Sequence, residues 1–300
     1  MNITKTAVVT ICGRPNVGKS TLTNTLAGQK LAIVSAKPQT TRNRITAVVN
    51  RPEHGIQLVI MDTPGFHRPR TKLGDYMVNV VRESIPDVEL VVLVVEPIPN
   101  IGEQEKALIE SIRAAGCPAL LVINKIDTVE KDALLQVMSL YGGAFDWDAI
   151  IPVSALKRDG TDLLLAEMEK YAADSPPLFP EDADTDQPDR QVCAELVREK
   201  LLRCLDKEVP HGTAVEVTRF SERDSGIIDL DVTIYCEKAS HKGIIIGKNG
   251  AMLKKVGEEA RKDIERFMGT KVFLQTWVKV KENWRDSEMM LRNFGYGIDR

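Results

Sequence analysis

The segment "GRPNVGKS" at residues 13–20 constrains the fold of this 300-residue chain more than any other feature. It has the spacing G-x-x-x-x-G-K-S, it follows the β-branched run "TAVVTIC", and it opens the helical segment "KSTLTNTLAG". Glycines in such a loop let the backbone turn tightly, and the free N–H groups at a helix N-terminus bind phosphate. The segment therefore predicts a strand, a phosphate-binding loop and a helix at the start of an α/β domain.

Buried strands and helices alternate through the rest of the first 173 residues. The apolar runs "ELVVLVVE", "PALLVIN" and "AIIPVS" have the length of buried parallel strands, and helical segments separate them. The runs "RITAVVN" and "IQLVIMD" flank the turn-like "RPEHG", which is typical of a hairpin. This alternation predicts a doubly wound, mostly parallel sheet in an α/β domain over residues 1–173.

The composition changes sharply at residues 174–189. This segment contains four prolines and six acidic residues, has no lysine or arginine, and shows no amphipathic period. Such a composition predicts a loosely packed linker. After it, residues 190–300 show an amphipathic helix, two alternating strands, two helices around "GKNG" and a final strand. The order α-β-β-α-α-β predicts a second, small α+β domain.

Apolar runs and cysteine spacing favour a protein that stays in the cytosol. Runs such as "LVVLVV" are far shorter than the roughly 18 residues that span a bilayer. The start "MNITKTAVVT" lacks the pattern of a signal peptide. The cysteines are widely spaced without a Cys-x-x-Cys pair, which favours reduced thiols over disulfides or a zinc site. They are Cys12, Cys117, Cys193, Cys204 and Cys236.

Two of the loops carry groups suited to phosphate and magnesium. In the first, Lys19 is placed to reach the β- and γ-phosphates of a nucleotide, and the Ser20 hydroxyl to ligate Mg²⁺. The motif "DTPG" ends an apolar strand. Its Asp62 can hold Mg²⁺ through water, and the Gly65 N–H can meet the γ-phosphate. These residues predict a site for a nucleoside triphosphate with its metal ion.

Two later motifs end strands and are suited to a base. The carboxylate of "NKID" at 124–127 can accept both N–H groups of a guanine edge, which adenine does not offer. The backbone of "SAL" at 154–156 could support the guanine carbonyl. Because the four motifs arrive in order at strand ends, residues 5–172 resemble the P-loop GTPase family. The resemblance implies GTP and GDP as ligands, together with Mg²⁺.

The resemblance also implies which residues contact the nucleotide and its metal. The implied nucleotide contacts are Gly13, Arg14, Pro15, Asn16, Val17, Gly18, Lys19, Ser20, Thr21, Asp62, Thr63, Pro64, Gly65, Phe66, Asn124, Lys125, Ile126, Asp127, Ser154 and Ala155. The implied Mg²⁺ ligands are Ser20, Asp62 and a threonine of "SAKPQTTRNR". Thr40 and Thr41 both qualify, and the "TR" pattern of related GTPases favours Thr41.

Phe66 departs from the Ras-like pattern, which has a water-orienting glutamine directly after the glycine. Relatives with a hydrophobic residue there can bind K⁺ through an asparagine of the phosphate-binding loop, here Asn16. The ion would then act as an arginine finger does. The alternative for Asn16 is a hydrogen bond to its own loop.

The implied catalytic residues are Lys19, Thr41, Asn16 and Gly65. Positive charge could also come from Arg14, Arg42 and Arg44. The simpler interpretation is that these arginines are surface or loop-packing residues.

The second glycine-lysine loop, "GKNG" at 247–250, is of a different kind. No serine or threonine follows Lys248 to hold Mg²⁺, and the loop lies between two predicted helices. A G-x-x-G loop in an α-β-β-α-α-β domain resembles the type II KH domain, where the loop lets a nucleic-acid backbone pass close. The implied RNA-binding residues are Lys242, Ile245, Ile246, Gly247, Lys248, Asn249, Gly250, Lys254 and Lys255.

The charge around this loop agrees with RNA as a ligand. Between His241 and Arg285 there are eleven lysines and arginines against five acidic residues. Such a stretch is either a nucleic-acid footprint or a solvated helix face. Trp277 and Trp284 could stack RNA bases, or could pack beneath the final strand.

The two domains in this order, with Phe66 and "IIIGKNG", resemble the Era family of GTPases over nearly the whole chain. The resemblance implies GTP hydrolysis, binding of single-stranded 16S rRNA near its 3′ end, and assistance to 30S ribosomal subunit assembly. It also implies a cytoplasmic monomer that can associate peripherally with the inner face of the membrane. One alternative is an RNA-binding chaperone with a non-hydrolysing G domain. Another is an RNA-modification GTPase, which needs a further catalytic domain or a reactive terminal cysteine.

Overall fold

The computed structural model of the protein describes residues 3–297. These residues divide into two compact units, of which the first holds the described residues up to Arg70 together with Gly74–Asp186. The second unit holds Thr71–Leu73 together with the described residues from Gln187 onward. The outer ends of the two predicted domains, residues 1–2 and 298–300, lie outside the described part of the chain.

The first unit is a doubly wound α/β domain around one sheet. Its strands are β1 (Lys5–Cys12), β2 (Ile45–Arg51), β3 (Ile56–Asp62), β4 (Leu90–Val95), β5 (Ala119–Ile123), β6 (Ala149–Pro152) and β7 (Ala173–Asp174). Its helices are α1 (Lys19–Ala27), α2 (Lys72–Glu83), α3 (Glu103–Ala115), α4 (Lys131–Gly142) and α5 (Thr161–Glu169). The strand order is β2-β3-β1-β4-β5-β6, with β7 beside β1. Only β2 with β3 and β7 with β1 pair antiparallel among the described strands of this sheet. The predicted fold class is confirmed.

Burial on both faces explains the uninterrupted apolar runs of the central strands. Every side chain of β4 and of β5 is buried. Successive residues of a strand point to opposite faces, so alternate residues pack with α1 and α5 or with α2, α3 and α4. The parallel strands therefore bring the loops at their carboxyl ends to one edge of the sheet, where α/β domains bind ligands.

The acidic segment 174–186 follows the antiparallel side of this sheet, which corrects the expectation of a loose linker. The N–H of Val48 on the edge strand β2 donates to the carbonyl of Asp184 at 2.9 Å. The side-chain amide of Gln57 on β3 accepts from the N–H of Phe179 and donates to its carbonyl, both at 3.0 Å. An edge strand carries unpaired backbone groups, and this segment supplies partners for them.

The second unit has the predicted order α-β-β-α-α-β, followed by one further short helix. Its elements are α6 (Asp189–Cys204), β8 (Ala214–Glu222), β9 (Ile228–Cys236), α7 (Ala239–Ile246), α8 (Ala251–Met268), β10 (Val272–Val280) and α9 (Glu288–Asn293). The middle strand β9 is antiparallel to β8 and parallel to β10. Helices α6 and α8 pack against each other. The core includes the buried side chains Leu230, Val232 and Ile234 of β9.

Candidate nucleotide and RNA-binding sites

Two glycines of the phosphate-binding loop lie where no side chain fits. Gly13 has φ of 150°, and a Cβ atom there would lie 2.3 Å from the carbonyl oxygen of Val94. Gly18 has φ of 100°, and a Cβ atom there would lie 2.2 Å from Nδ2 of Asn124. The first contact is with a backbone atom that cannot move aside cheaply. The loop therefore reaches its tight curve between β1 and α1 because glycine occupies both positions.

The buried side chain of Lys19 spans the loop from inside. Its Nζ donates to the carbonyl oxygens of Gly13 and Arg14, at 3.1 and 2.9 Å. Burial disfavours the charged ammonium and lowers the pKa of Lys19 to about 8, although the negative charge of Asp62 opposes that shift. The ammonium is thus held in the curve of the loop, beside the carboxylate that ends β3.

Three oxygen-bearing side chains meet next to this lysine. The hydroxyls of Ser20 and Thr41 lie 2.7 Å apart. Asp62 is fully buried, and neither of its carboxylate oxygens has a hydrogen-bond partner within residues 3–297. Burial raises the pKa of Asp62 to about 6. A buried carboxylate without donors is costly unless a cation balances it, and two hydroxyls beside it complete an oxygen ligand set. These residues fit Mg²⁺.

The structure distinguishes the two candidate threonines. The Thr40 hydroxyl donates to the carbonyl of Lys37 at 2.6 Å, whereas Thr41 meets Ser20. The geometry therefore favours Thr41 as the ligand.

A cavity of about 410 Å³ opens beside these groups. Residues of the phosphate-binding loop, Gly65 and Lys125 line it, and the chain between α1 and β2 contributes Ile33, Val34, Ser35, Ala36, Gln39, Thr40 and Thr41. Sequence reasoning missed the lining residues Ile33 and Val34. Their one distinguishing signal is their place just before "SAKPQTTRNR", because apolar residues in a loop have no motif of their own.

Phe66 takes part in the site through its backbone. Its N–H donates to the carbonyl of Gly13 at 3.0 Å. Its side chain is buried in the core cluster that contains Val78 and Val81 of α2. A Cβ atom on Gly65 would lie 2.7 Å from Cα of Pro15, so the two loops touch at a glycine. The aromatic ring is thus a core residue, and it presents no group that could orient a water.

Asn16 connects two loops. Its φ of 66° is unusual for a residue other than glycine. Its side-chain Nδ2 donates to the carbonyl of Ala36 at 2.9 Å, and its own carbonyl accepts from Nζ of Lys125 at 2.6 Å. The Asn16 side chain thus donates to the loop between α1 and β2, whereas the alternative interpretation expected a hydrogen bond within its own loop. The side chain lines the cavity.

The base-recognition motifs form one hydrogen-bonded unit with the phosphate-binding loop. Asn124 donates from Nδ2 to the carbonyl of Val17 at 2.8 Å and accepts at Oδ1 from the N–H of Ala155 at 3.0 Å. The Ser154 hydroxyl donates to Oδ1 of the exposed Asp127 at 2.6 Å. A carboxylate held on one oxygen at this edge is preorganised to accept from a guanine.

The remaining predicted residues of the site lie in the same loops. Pro15 and Thr21 line the cavity, Val17, Thr63 and Pro64 are buried, and Ile126 begins the helical turn Ile126–Thr128.

Acidic residues that sequence reasoning did not single out surround the loop cations. Arg14 pairs with the buried Glu105 at the start of α3 and lies 3.8 Å from Glu96. Lys125 also pairs with Glu96, which directly follows β4. Arg42 is buried and Arg44 is exposed. Glu105 breaks the apolar pattern of α3, and that break is the signal that could have marked it.

In the second unit the "GKNG" loop is a tight turn. Gly247 has φ of 73°, and a Cβ atom there would lie 2.7 Å from Cβ of Met252. Asn249 has φ of 52°, and the N–H of Gly250 donates to the carbonyl of Gly247 at 3.2 Å. Lys248 and Asn249 are exposed. The loop thus displays two polar side chains on a compact backbone between α7 and α8.

Among the predicted RNA contacts, Ile245 has no exposed surface and belongs to the core. Ile246 is half-buried, and Ile244 is the isoleucine of this run that is exposed. Helical spacing explains this difference in exposure, since successive residues of a helix point in different directions. Lys254 and Lys255 are exposed, and Lys242 is half-exposed.

The two tryptophans separate. Trp284 is fully buried, and its Nε1 donates to the carbonyl of Gly212 at 3.0 Å. Trp277 on β10 is 43% exposed.

Comparison with known proteins matches both units. The family described as 50S ribosome-binding GTPase matches residues 8–125, and the KH domain family matches residues 208–285. GTPase Era of Ruminiclostridium cellulolyticum is 53% identical over 296 residues, which are 99% of this chain and 99% of that protein. GTPase Era of Clostridioides difficile is 48% identical over 294 residues, which are 97% of this chain and 98% of that protein.

A solved structure of Era in complex with MgGDPNP and nucleotides 1506–1542 of 16S ribosomal RNA is similar to the whole chain. Its TM-score is 0.94 at 35% sequence identity, and the match covers 98% of this chain and 100% of that one. Within residues 3–297 no helix has the length and apolar character to cross a membrane. Both units and nearly the full length are thus shared with these relatives, and the chain belongs to the Era family of GTPases.

Proposed function

We propose that this GTPase binds GTP with Mg²⁺ in the cavity of the first unit and binds single-stranded RNA at the "GKNG" loop of the second. The observation that carries the nucleotide assignment is the buried Asp62 carboxylate, whose oxygens have no hydrogen-bond partner among the described residues. It lies beside Lys19 and Ser20, and the Ser20 hydroxyl is 2.7 Å from that of Thr41. When bound there, Mg²⁺ supplies positive charge to the phosphate oxygens of the nucleotide. Ser20, Thr41 and Asp62 would hold it.

The residues of the chain act on the transferring phosphoryl group by position and charge. The loop N–H groups and Lys19 favour the charge that builds on the phosphate oxygens, and the Gly65 N–H meets the γ-phosphate. The buried ring of Phe66 provides no hydrogen-bonding group to the attacking water. Asn16 lines the cavity, and a K⁺ ion held there would supply the positive charge that an arginine finger supplies in other GTPases.

The base is selected by the "NKID" and "SAL" motifs, which Asn124 joins to the phosphate-binding loop. Asp127 accepts both N–H groups of guanine, and Ser154 holds one of its oxygens. Adenine would leave this carboxylate facing an unpaired edge, so GTP is favoured over ATP.

The RNA assignment is supported by the exposed Lys248 and Asn249 and by the basic stretch around them. The Era structure with nucleotides 1506–1542 of 16S ribosomal RNA supports a ligand of the same kind. We infer that this chain binds single-stranded 16S rRNA near its 3′ end and assists assembly of the 30S subunit. The KH order of elements and the turn geometry of the loop serve the close approach of an RNA backbone.

GTP turnover measured with and without a single-stranded 16S rRNA 3′-end oligonucleotide tests this function. We expect Mg²⁺-dependent hydrolysis of GTP, no hydrolysis of ATP, and binding of the oligonucleotide that weakens as salt rises. Binding of the oligonucleotide without turnover would favour the RNA chaperone instead. A monomeric state and peripheral membrane association stay predictions from the family resemblance, to be tested by sedimentation velocity and by co-sedimentation with anionic vesicles.

A further inference from the structure

The loop after Gly65 contains a histidine to which the proposed nucleotide site gives no role. Nδ1 of His67 lies 2.9 Å from the carbonyl oxygen of Gly65. A carbonyl oxygen only accepts hydrogen bonds, so Nδ1 carries the proton and donates. In the neutral ring this tautomer leaves a lone pair on Nε2. That atom lies 3.4 Å from the side-chain Nε2 of Gln39, whose amide N–H can donate to it.

The histidine completes a clamp on one peptide group. The carbonyl of the peptide between Gly65 and Phe66 accepts from His67, and the N–H of the same peptide donates to Gly13 at 3.0 Å. Gly65 also packs closely on Pro15, since a Cβ atom on Gly65 would lie 2.7 Å from Cα of Pro15. The phosphate-binding loop therefore fixes one end of the peptide, and His67 fixes the other.

Gln39 connects His67 to the loop between α1 and β2. It lines the nucleotide cavity, and its φ of 60° is one that residues other than glycine rarely adopt. It stands two residues before Thr41, whose hydroxyl lies 2.7 Å from Ser20. A contact of Gln39 with His67 thus joins the chain segment bearing the threonine ligand to the segment bearing Gly65.

We propose that His67 is a positioning residue for GTP hydrolysis. By holding the Gly65 carbonyl it fixes the residue whose N–H meets the γ-phosphate, and it links that residue to the Gln39–Thr41 segment so that both close on the γ-phosphate. This inference rests on the nucleotide site proposed above. The linked groups, Gly65 and Thr41, serve the γ-phosphate and its metal. GDP has no γ-phosphate, so loss of the link weakens the triphosphate complex and its hydrolysis while GDP binding is retained.

The full-length protein with His67→Ala tests the proposal against His54→Ala, a matched control. His54 is an exposed histidine whose Nδ1 pairs with Glu169 at 2.6 Å, outside the nucleotide cavity. We expect His67→Ala to lower kcat for GTP at least tenfold and to lower the affinity ratio of a non-hydrolysable GTP analogue over GDP at least fivefold. The Kd for GDP stays within twofold of wild type, and His54→Ala matches wild type in every measurement.

Two further variants test the link itself. His67→Asn keeps an amide N–H at the level of Nδ1, so it restores part of kcat relative to His67→Ala. Gln39→Ala lowers kcat less than His67→Ala does. The double variant is no slower than His67→Ala, since Gln39 acts through the ring. A product of the two single effects in the double variant would overturn the link.

The remaining outcomes are decisive as well. Wild-type kcat and a wild-type affinity ratio in His67→Ala would overturn the proposal. Loss of GDP binding together with a lowered melting temperature would show a structural role for the ring and overturn it too. Failure of the wild-type protein to bind GDP would instead contradict the nucleotide site.

Discussion

At the scale of single residues, the site is made by polar groups that burial leaves in unusual states. Lys19 and Asp62 are both buried. Burial lowers the pKa of Lys19 and raises that of Asp62, and both shifts favour the neutral form of the side chain. Lys19 has two backbone carbonyls as partners, whereas the Asp62 oxygens have none among the described residues. Such an imbalance is retained where a ligand corrects it, which is why these two residues indicate a nucleotide with its metal.

Asp127→Asn should change the nucleotide that the protein prefers. The asparagine keeps one acceptor and replaces the other with a donor, which suits xanthine better than guanine. Loss of a charge-assisted pair of hydrogen bonds corresponds to about 3 kcal/mol, or more than a hundredfold in GTP affinity. Calorimetric titration with GTP and XTP measures the exchange. The control is Asp132→Asn on α4, where the carboxylate is exposed. Unchanged GTP affinity in Asp127→Asn, or tight ATP binding by wild type, would contradict the assignment.

Asn16→Ala should remove an effect of potassium on hydrolysis. Because Phe66 takes the place of a water-orienting glutamine, we expect a monovalent cation at Asn16 to supply charge in the transition state. Wild-type kcat should therefore be higher in K⁺ than in Na⁺ at matched ionic strength, and the variant should show equal rates in both salts. Since Asn16 also bonds to Ala36, its GDP affinity is measured in parallel to separate this contact from the ion. Equal wild-type rates in the two salts would remove the potassium site.

At the scale of elements, segment 174–186 shows how an irregular stretch can be part of a domain. Its acidic and proline-rich composition predicts a loosely packed linker, yet its backbone forms hydrogen bonds with the edge strand β2 and with the side chain of Gln57 on β3. Gln57 is fully buried. Prolines suit such an edge position because they offer no N–H for further pairing.

Gln57→Leu should destabilise the first unit while leaving its nucleotide contacts intact. Leucine cannot accept from the N–H groups of Leu178 and Phe179, which Gln57 now binds at 2.8 and 3.0 Å. Backbone groups left unpaired cost about 1–3 kcal/mol, and urea unfolding should report a loss of this size. Gln136→Leu on the exposed face of α4 is the matched control. A stability equal to that of wild type would mean that the segment does not pack as described.

At the scale of the whole molecule, two sites of different chemistry lie in separate compact units. The nucleotide cavity is lined by residues of the first unit, and the "GKNG" loop lies in the second. Each loop obtains its shape from glycines and contacts of its own unit. A change in one loop is therefore expected to leave the resting activity of the other unchanged.

Replacement of Lys248 and Asn249 by two aspartates should separate RNA binding from hydrolysis. Negative charge beside the RNA phosphates should weaken oligonucleotide binding at least tenfold, about 1.4 kcal/mol, with a smaller salt dependence. GTP turnover without RNA should equal that of wild type. The paired changes Lys131→Asp and Gln136→Asp on α4 alter the net charge equally and serve as the control. Wild-type RNA affinity in the first variant would return the basic stretch to a solvated face.

The sequence by itself determined the fold class, the order of elements and the residues of the four nucleotide motifs. Apolar period, glycine position and motif spacing are local properties, and each is written within a few residues of the chain. Tertiary structure alone decided that Thr41 meets Ser20, that Ile245 and the Phe66 ring are buried, and that segment 174–186 packs on the sheet. Those outcomes depend on which distant groups share a face and on where partners stand for buried polar atoms. Such contacts between distant residues form only when the chain folds.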